Sequence, residues 1–214
     1  MLTTRRRRSA GFTLIEVMVV LTISAYMLVM MVRAFGTWSA DSRVRATTES
    51  LLSALRVTQA YAVSHNRITA FTLTATTPAY NATSSSTGSN WFSVPVKLSG
   101  SDETISGLGM ILSSTMATGY NLSLSGSNGT GGGSTSPVCF NSLGQLATQS
   151  SLTTTTALSA NCTMPSNTAP VTFTVSGSGI GATRQYKVLV YPAGQIRMCD
   201  ALKSLSSTNP DGCP

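Results

Sequence analysis

The spacing of apolar residues divides the chain into stretches of different character. From Phe12 to Val32 every residue is apolar or small and neutral, except Glu16. That length matches the roughly 20 residues that a helix needs to cross the hydrocarbon core of a bilayer. No proline and only one glycine, Gly36, occur between Phe12 and Asn66. The pattern therefore predicts one long helix, whose first part, residues 12–35, is a transmembrane segment.

The second part of the predicted helix, residues 36–66, is amphipathic. Apolar or small residues recur at alternating steps of four and three, which places them on one face of a helix. This stripe comprises Val44, Thr48, Leu51, Leu55, Thr58 and Ala62. We expect the stripe to pack on the rest of the chain. We expect the helix to end near Asn66, because asparagine tolerates the left-handed backbone of a helix C terminus.

Beyond Asn66 the period of the pattern changes to two, which is typical of strands. Residues 67–74 predict a half-buried strand, and residues 91–98 predict a second one, which Pro95 restricts to a sheet edge or a bulge. Further strands are predicted at residues 105–116, 120–124, 171–175 and 186–191. Loops rich in serine, threonine and glycine are predicted at residues 81–90, 125–136 and 148–159. The fold class is therefore α+β, with a β-rich globular head at residues 67–214.

Composition and charge narrow the functional classes. Only 10% of the residues are charged, which is low for a soluble cytosolic enzyme. Four of the cations, Arg5 to Arg8, directly precede the apolar stretch, where they indicate its cytoplasmic side. Removing them from a formal net charge of +7 leaves about +3, so the remainder is only mildly basic.

Glu16 is the chemical exception within the apolar stretch. A carboxylate inside a membrane span costs about 3 kcal/mol on insertion scales, so it indicates a functional residue whose partner should be sought. A secretory signal peptide would have a shorter apolar region with its cleavage site after that region. A plain signal anchor would explain the arginines and the span but would leave Glu16 unexplained.

The stretch from Gly11 to Glu16, Gly-Phe-Thr-Leu-Ile-Glu, follows a short basic leader. It resembles the prepilin signature of type IV pilins and type II secretion pseudopilins. The resemblance implies that residues 1–11 are a leader peptide and that a membrane prepilin peptidase cuts between Gly11 and Phe12. It also implies N-methylation of Phe12, and it makes Glu16 a recognition and assembly residue.

Two segments in the C-terminal half have similar sequences. Residues 140–146 and 191–196 each contain an aromatic residue, a turn with a glycine, then glutamine and an aliphatic residue. Glycine supplies the positive φ that a tight hairpin requires. Two such hairpins, with the helix end at residues 55–66, resemble the GspH/FimT/FimU group of H-type pseudopilins and minor pilins. This resemblance implies a long N-terminal helix packed on a mainly antiparallel β head of two small sheets.

The same resemblance implies a structural subunit. We expect a minor pilin at the tip or in the initiating complex of a type IV pilus, or alternatively the H-type pseudopilin of a type II secretion system. The expected partners are the prepilin peptidase, other minor pilins or pseudopilins, and the inner-membrane assembly platform. The expected location is the inner membrane, with a single pass, a cytoplasmic N terminus and a periplasmic head, followed by the assembled pilus or pseudopilus.

Assembly gives Glu16 a candidate partner. An ion pair between Glu16 of one subunit and the N-terminal nitrogen of Phe12 of the next would remove the cost of burying each charge alone. The alternative is that Glu16 stays protonated and serves only in recognition by the peptidase.

The cysteines are Cys139, Cys162, Cys199 and Cys213. None of their spacings fits a zinc site. An even number beyond a membrane span indicates disulfides in an oxidising compartment. Of the three pairings, we favour Cys139–Cys162 with Cys199–Cys213, since each closes a short local loop.

Catalysis and bound cofactors or metals are not expected. The single histidine, His65, lies at the predicted helix end, and the acids of the head are too few for a calcium cage. These acids are Asp102, Glu103, Asp200 and Asp211. No phosphate-binding loop or nucleophile motif is present.

DNA binding is the rival function. Some FimT-like proteins take up DNA with a Gly-Arg-x-Arg motif on the last hairpin. Residues 194–197 here are Gly-Gln-Ile-Arg, which keep the glycine and Arg197 but replace the first arginine with Gln195. Arg184 and Lys187 are near in sequence and would add to a basic patch. Because phosphate binding scales with the number of cations, the lost arginine weakens this function.

Overall fold

One helix dominates the architecture. The structure is a computed structural model that describes residues 11–79, 82–96, 109–115, 122–127, 137–148, 162, 169–177 and 184–214, without the side chains of residues 32–34. Helix α1 (Leu14–Ser64) contains 51 residues and is about 75 Å long. The prediction of a single long helix is confirmed.

The C-terminal end of α1 is fixed by its backbone. The N–H of Arg67 donates to the carbonyl of Ala62, and the N–H of Asn66 donates to the carbonyl of Val63. This pair of bonds is a Schellman motif, which requires a left-handed residue after the cap. Asn66 supplies that residue with a φ of 48°, as the sequence predicts.

The six residues of the stripe on α1 are all buried, which confirms the predicted packing face. The hydroxyl groups of the two threonines among them form hydrogen bonds to carbonyls of the preceding helical turn. Thr48 donates to the carbonyl of Val44. Thr58 donates to the carbonyl of Ala54 and meets the hydroxyl of Ser93 on the head. Burial begins at Val44, so the helix is packed on the head over a shorter length than residues 36–66.

Two sheets form the described part of the head. The strands are β1 (Thr69–Thr74), β2 (Asn90–Pro95), β3 (Leu112–Thr115), β4 (Leu122–Ser127), β5 (Val138–Phe140), β6 (Val171–Gly177), β7 (Gln185–Val190), β8 (Ile196–Ser204) and β9 (Gly212–Cys213). One sheet has the order β3-β2-β1-β5 and the other β4-β6-β7-β8-β9. Neighbouring strands are antiparallel except β8 and β9, which are parallel.

The main core lies between α1 and the two sheets. It contains Leu51 and Leu55 from the helix, Phe71 and Trp91 from the first sheet, and Phe173 from the second. The rings of Phe71 and Phe173 meet edge to face with centroids 5.8 Å apart. The helix therefore holds both sheets in one apolar layer.

A second apolar cluster covers the opposite face of the first sheet. It contains Ala70, Ala82, Phe92, Val94, Val96, Cys139 and Cys162. Because both of its faces are covered, β1 is buried at all six positions. The prediction of a half-buried strand is therefore wrong for residues 69–74.

Two other details differ from the sequence pattern. Strand β2 is internal rather than an edge, and Pro95 is tolerated because it is the last residue of β2, beyond the segment paired with β3. The predicted loop at residues 125–136 begins too early, since β4 continues through Ser127 in register with β6. The rest of that loop, residues 97–98 and 105–108, and most of residues 148–159 lie outside the described part.

Two disulfides join Cys139 to Cys162 and Cys199 to Cys213, with Cα atoms 5.7 Å and 5.1 Å apart. These are the two short-loop pairs. The first attaches residue 162 to the outer cluster of the first sheet. The second attaches β9 to β8 at the edge of the other sheet.

Candidate functional site

Most of the large apolar side chains that are exposed in the described residues lie on the N-terminal part of α1. From Phe12 to Met31 every side chain is exposed, and Phe12 is 83% accessible. By length and composition this helix can cross a membrane. Because the head covers none of this surface, its apolar side chains need lipid or another protein as their surroundings.

The backbone changes at the N terminus of α1. Residues 11–13 are not helical, and Thr13 is the N-cap with φ −79° and ψ 148°. Its hydroxyl accepts a hydrogen bond from the N–H of Glu16 at 3.3 Å. No atom lies within 4 Å of the position that a Cβ of Gly11 would occupy. Gly11 and Phe12 are thus both exposed and non-helical among the described residues.

Thr13 caps the start of α1, a role that was not among the sequence predictions. A Thr-x-x-Glu pattern directly before an apolar run is the signature of a capping box. This signal was available in residues 13–16. Glu16 is accordingly also a helix-start residue, because a negative charge in the first turn is favourable to the helix dipole. Its carboxylate forms no ion pair with any residue that the structure describes.

His65 is the C-cap residue of α1, and its N–H donates to the carbonyl of Tyr61. Its ring stacks on that of Tyr61, with centroids 3.8 Å apart. Both side chains lie at the end of the helix that is distant from Glu16.

The two glycine turns meet at one place, here called the junction, made by Gln59, Gly144 and Gly194. Gly144 and Gly194 have φ values of 77° and 90°, which confirms the need for glycine in both turns. The side-chain amide of Gln59 donates to the carbonyl oxygens of both glycines, at 2.6 Å and 2.7 Å. The N–H of Leu146 donates to the carbonyl of Pro192. The junction therefore ties α1 to both sheets, and no sequence pattern pointed to Gln59.

The candidate DNA contacts do not form one patch. Arg184 donates to the carboxylate of Asp200 at 3.2 Å, and that carboxylate is only 2% exposed. Lys187 and Arg197 lie on the two neighbouring strands β7 and β8. Both alternate with the core residues Val188 and Ile196, so they lie on the face of the sheet that is turned away from α1. Arg184 is thus engaged in neutralising a buried acid.

A small ion-pair network fastens the C-terminal segment. Lys203 contacts Asp211 at 2.8 Å and Asp200 at 3.8 Å. The hydrogen bond from Lys203 lowers the pKa of Asp211 below its usual value, and the same bond raises the pKa of Lys203. In the described residues no group of three or more His, Cys, Asp or Glu side chains is placed to hold a metal ion. Asp102 and Glu103 are not among them.

Known proteins resemble this chain in one N-terminal motif and in structure. The prokaryotic N-terminal methylation motif matches residues 6–32. No curated protein matches the chain. The chain is similar in structure to the type IV minor pilin FimU of Pseudomonas aeruginosa, with 14% identity, a TM-score of 0.47, and coverage of 73% of this chain and 88% of FimU. It is also similar to EpsH, a minor pseudopilin from the Type 2 Secretion System of Vibrio cholerae, with 12% identity, a TM-score of 0.43, and coverage of 74% and 97%.

Proposed function

We propose that this chain, a pilin-like protein by its N-terminal methylation motif and its long helix on a two-sheet head, is a minor pilin. It is made as a prepilin, cut between Gly11 and Phe12 by a prepilin peptidase, and methylated on Phe12. Its first helical part then holds it in the inner membrane, with the head in the periplasm. From there it enters the tip or initiating complex of a type IV pilus.

One observation carries this proposal: a single continuous helix is buried in the head over its second part and wholly exposed over its first. A helix that served only the head would not extend about 45 Å beyond it. The exposed part suits two successive surroundings, the bilayer before assembly and the apolar helices of neighbouring subunits afterwards. The head then supplies the surface that distinguishes this subunit from others.

In this proposal, Glu16 sets the axial position of each subunit relative to its neighbour. Cutting after Gly11 creates an ammonium group at Phe12, four residues before Glu16. Within apolar surroundings each charge is costly alone, and a close pair offsets much of the cost. Pairing Glu16 of one subunit with Phe12 of its neighbour therefore favours one axial position over all others.

The proposal is tested by the variant Glu16→Ala in the native host, with Glu49→Ala as the matched control. Glu49 is an exposed acid on the same helix that pairs with Arg45. Mass spectrometry of the N terminus measures processing of both variants, and incorporation is compared for the cut, methylated chains only. Incorporation into purified filaments should fall at least tenfold for Glu16→Ala only. Normal incorporation of Glu16→Ala would reject the pairing, and an uncut, unmethylated wild-type chain would reject the function.

The H-type pseudopilin of a type II secretion system is the second candidate, because the same helix and head would serve a pseudopilus equally well. Deleting the gene separates the two. A loss of surface pili with normal protein secretion supports the pilus, and the reverse supports the secretion system.

A further inference from the structure

The second sheet reaches toward the N-terminal part of α1 at one of its ends. The N–H of Arg184, directly before β7, donates to the carboxylate of Asp41 on α1 at 3.0 Å. The opposite ends of β7 and β8 meet the junction, near residue 59 of the same helix. Because β8 runs antiparallel to β7, it runs from the junction back toward the level of Asp41. The pair Tyr186–Asp200 in that register places Leu202 level with Arg184.

Two exposed leucines lie at this end of the sheet. Leu202 is 61% accessible and Leu205 is 44% accessible, and neither belongs to an apolar cluster of the described residues. Their backbone is nevertheless held in place. The N–H of Leu202 donates to the carboxylate of Asp200 at 3.0 Å, and the N–H of Leu205 donates to the carbonyl of Cys213 at 2.9 Å. An ordered backbone thus presents two large apolar side chains to the surroundings of the head.

The charged groups beside these leucines balance one another. Arg184 contacts Asp200 at 3.2 Å, and Lys203 contacts Asp200 at 3.8 Å and Asp211 at 2.8 Å. This network contains two cations and two carboxylates, so its formal charge is zero. Paired charges lose less free energy near an apolar medium than single charges do. The network therefore does not prevent the leucines from approaching lipid, and it gives no preference for an anionic partner.

The distance along α1 places this end of the sheet close to the bilayer. The roughly 20 residues that cross the hydrocarbon core end near residue 32, and Asp41 lies about 14 Å farther along the helix. From Leu202 to Leu205 the chain can return up to about 10 Å of that distance. The remaining gap of about 4 Å is less than the headgroup layer of one leaflet, which is roughly 5–7 Å thick. The exposed Trp38 of α1 lies in the same interval, and tryptophan is enriched at membrane interfaces.

We propose that Leu202 and Leu205, with the turn at residues 206–209, form a lipid-facing end of the head that lies in the headgroup layer while α1 is in the membrane. This inference rests on the proposed function, because it requires the first part of α1 to cross a bilayer. The contact fixes the direction of the head relative to the membrane surface. A subunit that enters a filament has to break this contact, so the membrane-held state is stabilised by the head as well as by the helix.

Fluorescence quenching tests the contact in the complete, processed chain. The chain is reconstituted in phosphatidylcholine vesicles whose headgroups carry a spin label that quenches fluorescence. A fluorescent non-natural amino acid replaces Ser207, in the exposed turn after Leu205, or Ala60, at an exposed position of α1 near the junction. We expect strong quenching at residue 207 and little at residue 60. Equal quenching at the two positions would overturn the lipid contact.

The double variant Leu202→Ser, Leu205→Ser tests which side chains are responsible. Partial burial of one leucine shifts an equilibrium about tenfold, so the double change should lower the ratio of docked to undocked heads about a hundredfold. Quenching at residue 207 should then fall to the level at residue 60. The matched control Leu143→Ser removes a leucine that is 76% accessible from the glycine turn beside the junction, and it should leave quenching unchanged. Unchanged quenching in the double variant would overturn the proposal.

Vesicle composition and protein density separate lipid from other partners. We expect the same quenching with one chain per vesicle as with many, and the same quenching with or without phosphatidylglycerol. Quenching that needs several chains per vesicle would assign the surface to a second copy and overturn the lipid contact. A requirement for phosphatidylglycerol would overturn its apolar basis. Flotation of the chain with the vesicles is measured in parallel, and failure to float would contradict the proposed function itself.

Discussion

The side-chain amide nitrogen of Gln59 lies 2.7 Å from the carbonyl oxygen of Gly194 and donates a hydrogen bond to it. These residues are 135 positions apart in the chain. The same amide nitrogen also donates a hydrogen bond to the carbonyl of Gly144, so one side chain on the helix binds a turn from each sheet. Polar contacts thus join the head to the C-terminal end of α1, whereas apolar packing holds the interior of the head together.

Replacing Gln59 with leucine should destabilise the head selectively. The change removes the donor shared by two partly buried carbonyls, and we expect a loss of about 2 kcal/mol in the free energy of unfolding. Denaturant unfolding in detergent measures it. The control Gln145→Leu removes an exposed glutamine from the same turn and should change stability by less than about 0.5 kcal/mol. Equal losses for the two variants would contradict the role of the junction.

The two glycines of the junction should differ in their tolerance of alanine. Both have positive φ, which costs a residue with a Cβ about 1 kcal/mol. At Gly194 the new Cβ would also overlap the backbone carbonyl of Gly144, whereas at Gly144 its nearest neighbours would be side-chain atoms of Gln59 and Val63 at 3.3 Å.

We therefore expect Gly194→Ala to cost about 3 kcal/mol or more and Gly144→Ala about half as much. Thermal unfolding of both variants provides the ranking. A larger loss of stability for Gly144→Ala than for Gly194→Ala would contradict the close approach of Gly194 to the carbonyl of Gly144.

The pair Lys203–Asp211 should give a small, pH-dependent contribution to stability. The pKa of Asp211 is lowered from 3.8, so its contribution is present above that value and is lost as the pH falls through the folded-state pKa. The pKa of Lys203 is raised from 10.5, so its contribution is lost only as the pH rises through that higher value.

We expect Lys203→Met to return the pKa of Asp211 toward its usual value, as followed by NMR titration of the carboxyl carbon. The control Lys187→Met should leave it unchanged. The stability difference between Lys203→Met and the wild type should be present at neutral pH and shrink as the pH falls below 3.8 through the lowered pKa of Asp211. A difference that persists unchanged once Asp211 is protonated would assign it to packing of the lysine stem.

DNA binding should be weak in this chain and should be strengthened by one substitution. With Arg184 engaged by Asp200, only Lys187 and Arg197 remain, and two phosphate contacts give a fall of about tenfold in affinity between 50 and 200 mM salt. We expect no gel shift of duplex DNA at physiological salt. Gln195→Arg completes the Gly-Arg-x-Arg pattern and should raise affinity and steepen the salt dependence by about one contact.

Gln145→Arg, at the equivalent position of the other glycine turn, is the matched control. A shift of equal size for both variants would show that added charge alone is responsible. A tight shift by the wild-type chain at physiological salt would contradict the expectation of weak binding.

Local pattern predicted much of this fold and the motif at its N terminus. The stripe on α1, the left-handed Asn66 and the two glycine turns follow from periodicity and backbone preference, which depend on residues close in sequence. The Gly11–Glu16 segment is equally local. The Thr-x-x-Glu pattern of residues 13–16 is local as well, although the sequence predictions considered only the membrane cost of Glu16.

The features that sequence did not predict depend on contacts between distant residues. Nothing near Gln59 indicates that two carbonyls from separate sheets would converge on it. The burial of β1 on both faces needs residue 162, joined through Cys139, as part of the cover. The engagement of Arg184 depends on Asp200, which lies on a neighbouring strand. Such pairings are set by strand register rather than by local propensity.

The short strand β9 has a consequence for contacts between heads in the assembly that we propose. An open sheet edge presents unpaired N–H and C=O groups, on which a strand of a neighbouring molecule can extend the sheet. Here the Cys199–Cys213 bond keeps β9 beside β8, where the N–H of Asp200 and the N–H of Leu205 donate to the carbonyls of Asp211 and Cys213. The pairing edge of β8 is thus covered by a covalently held strand of only two residues, which leaves little edge on which a strand of another molecule could be added.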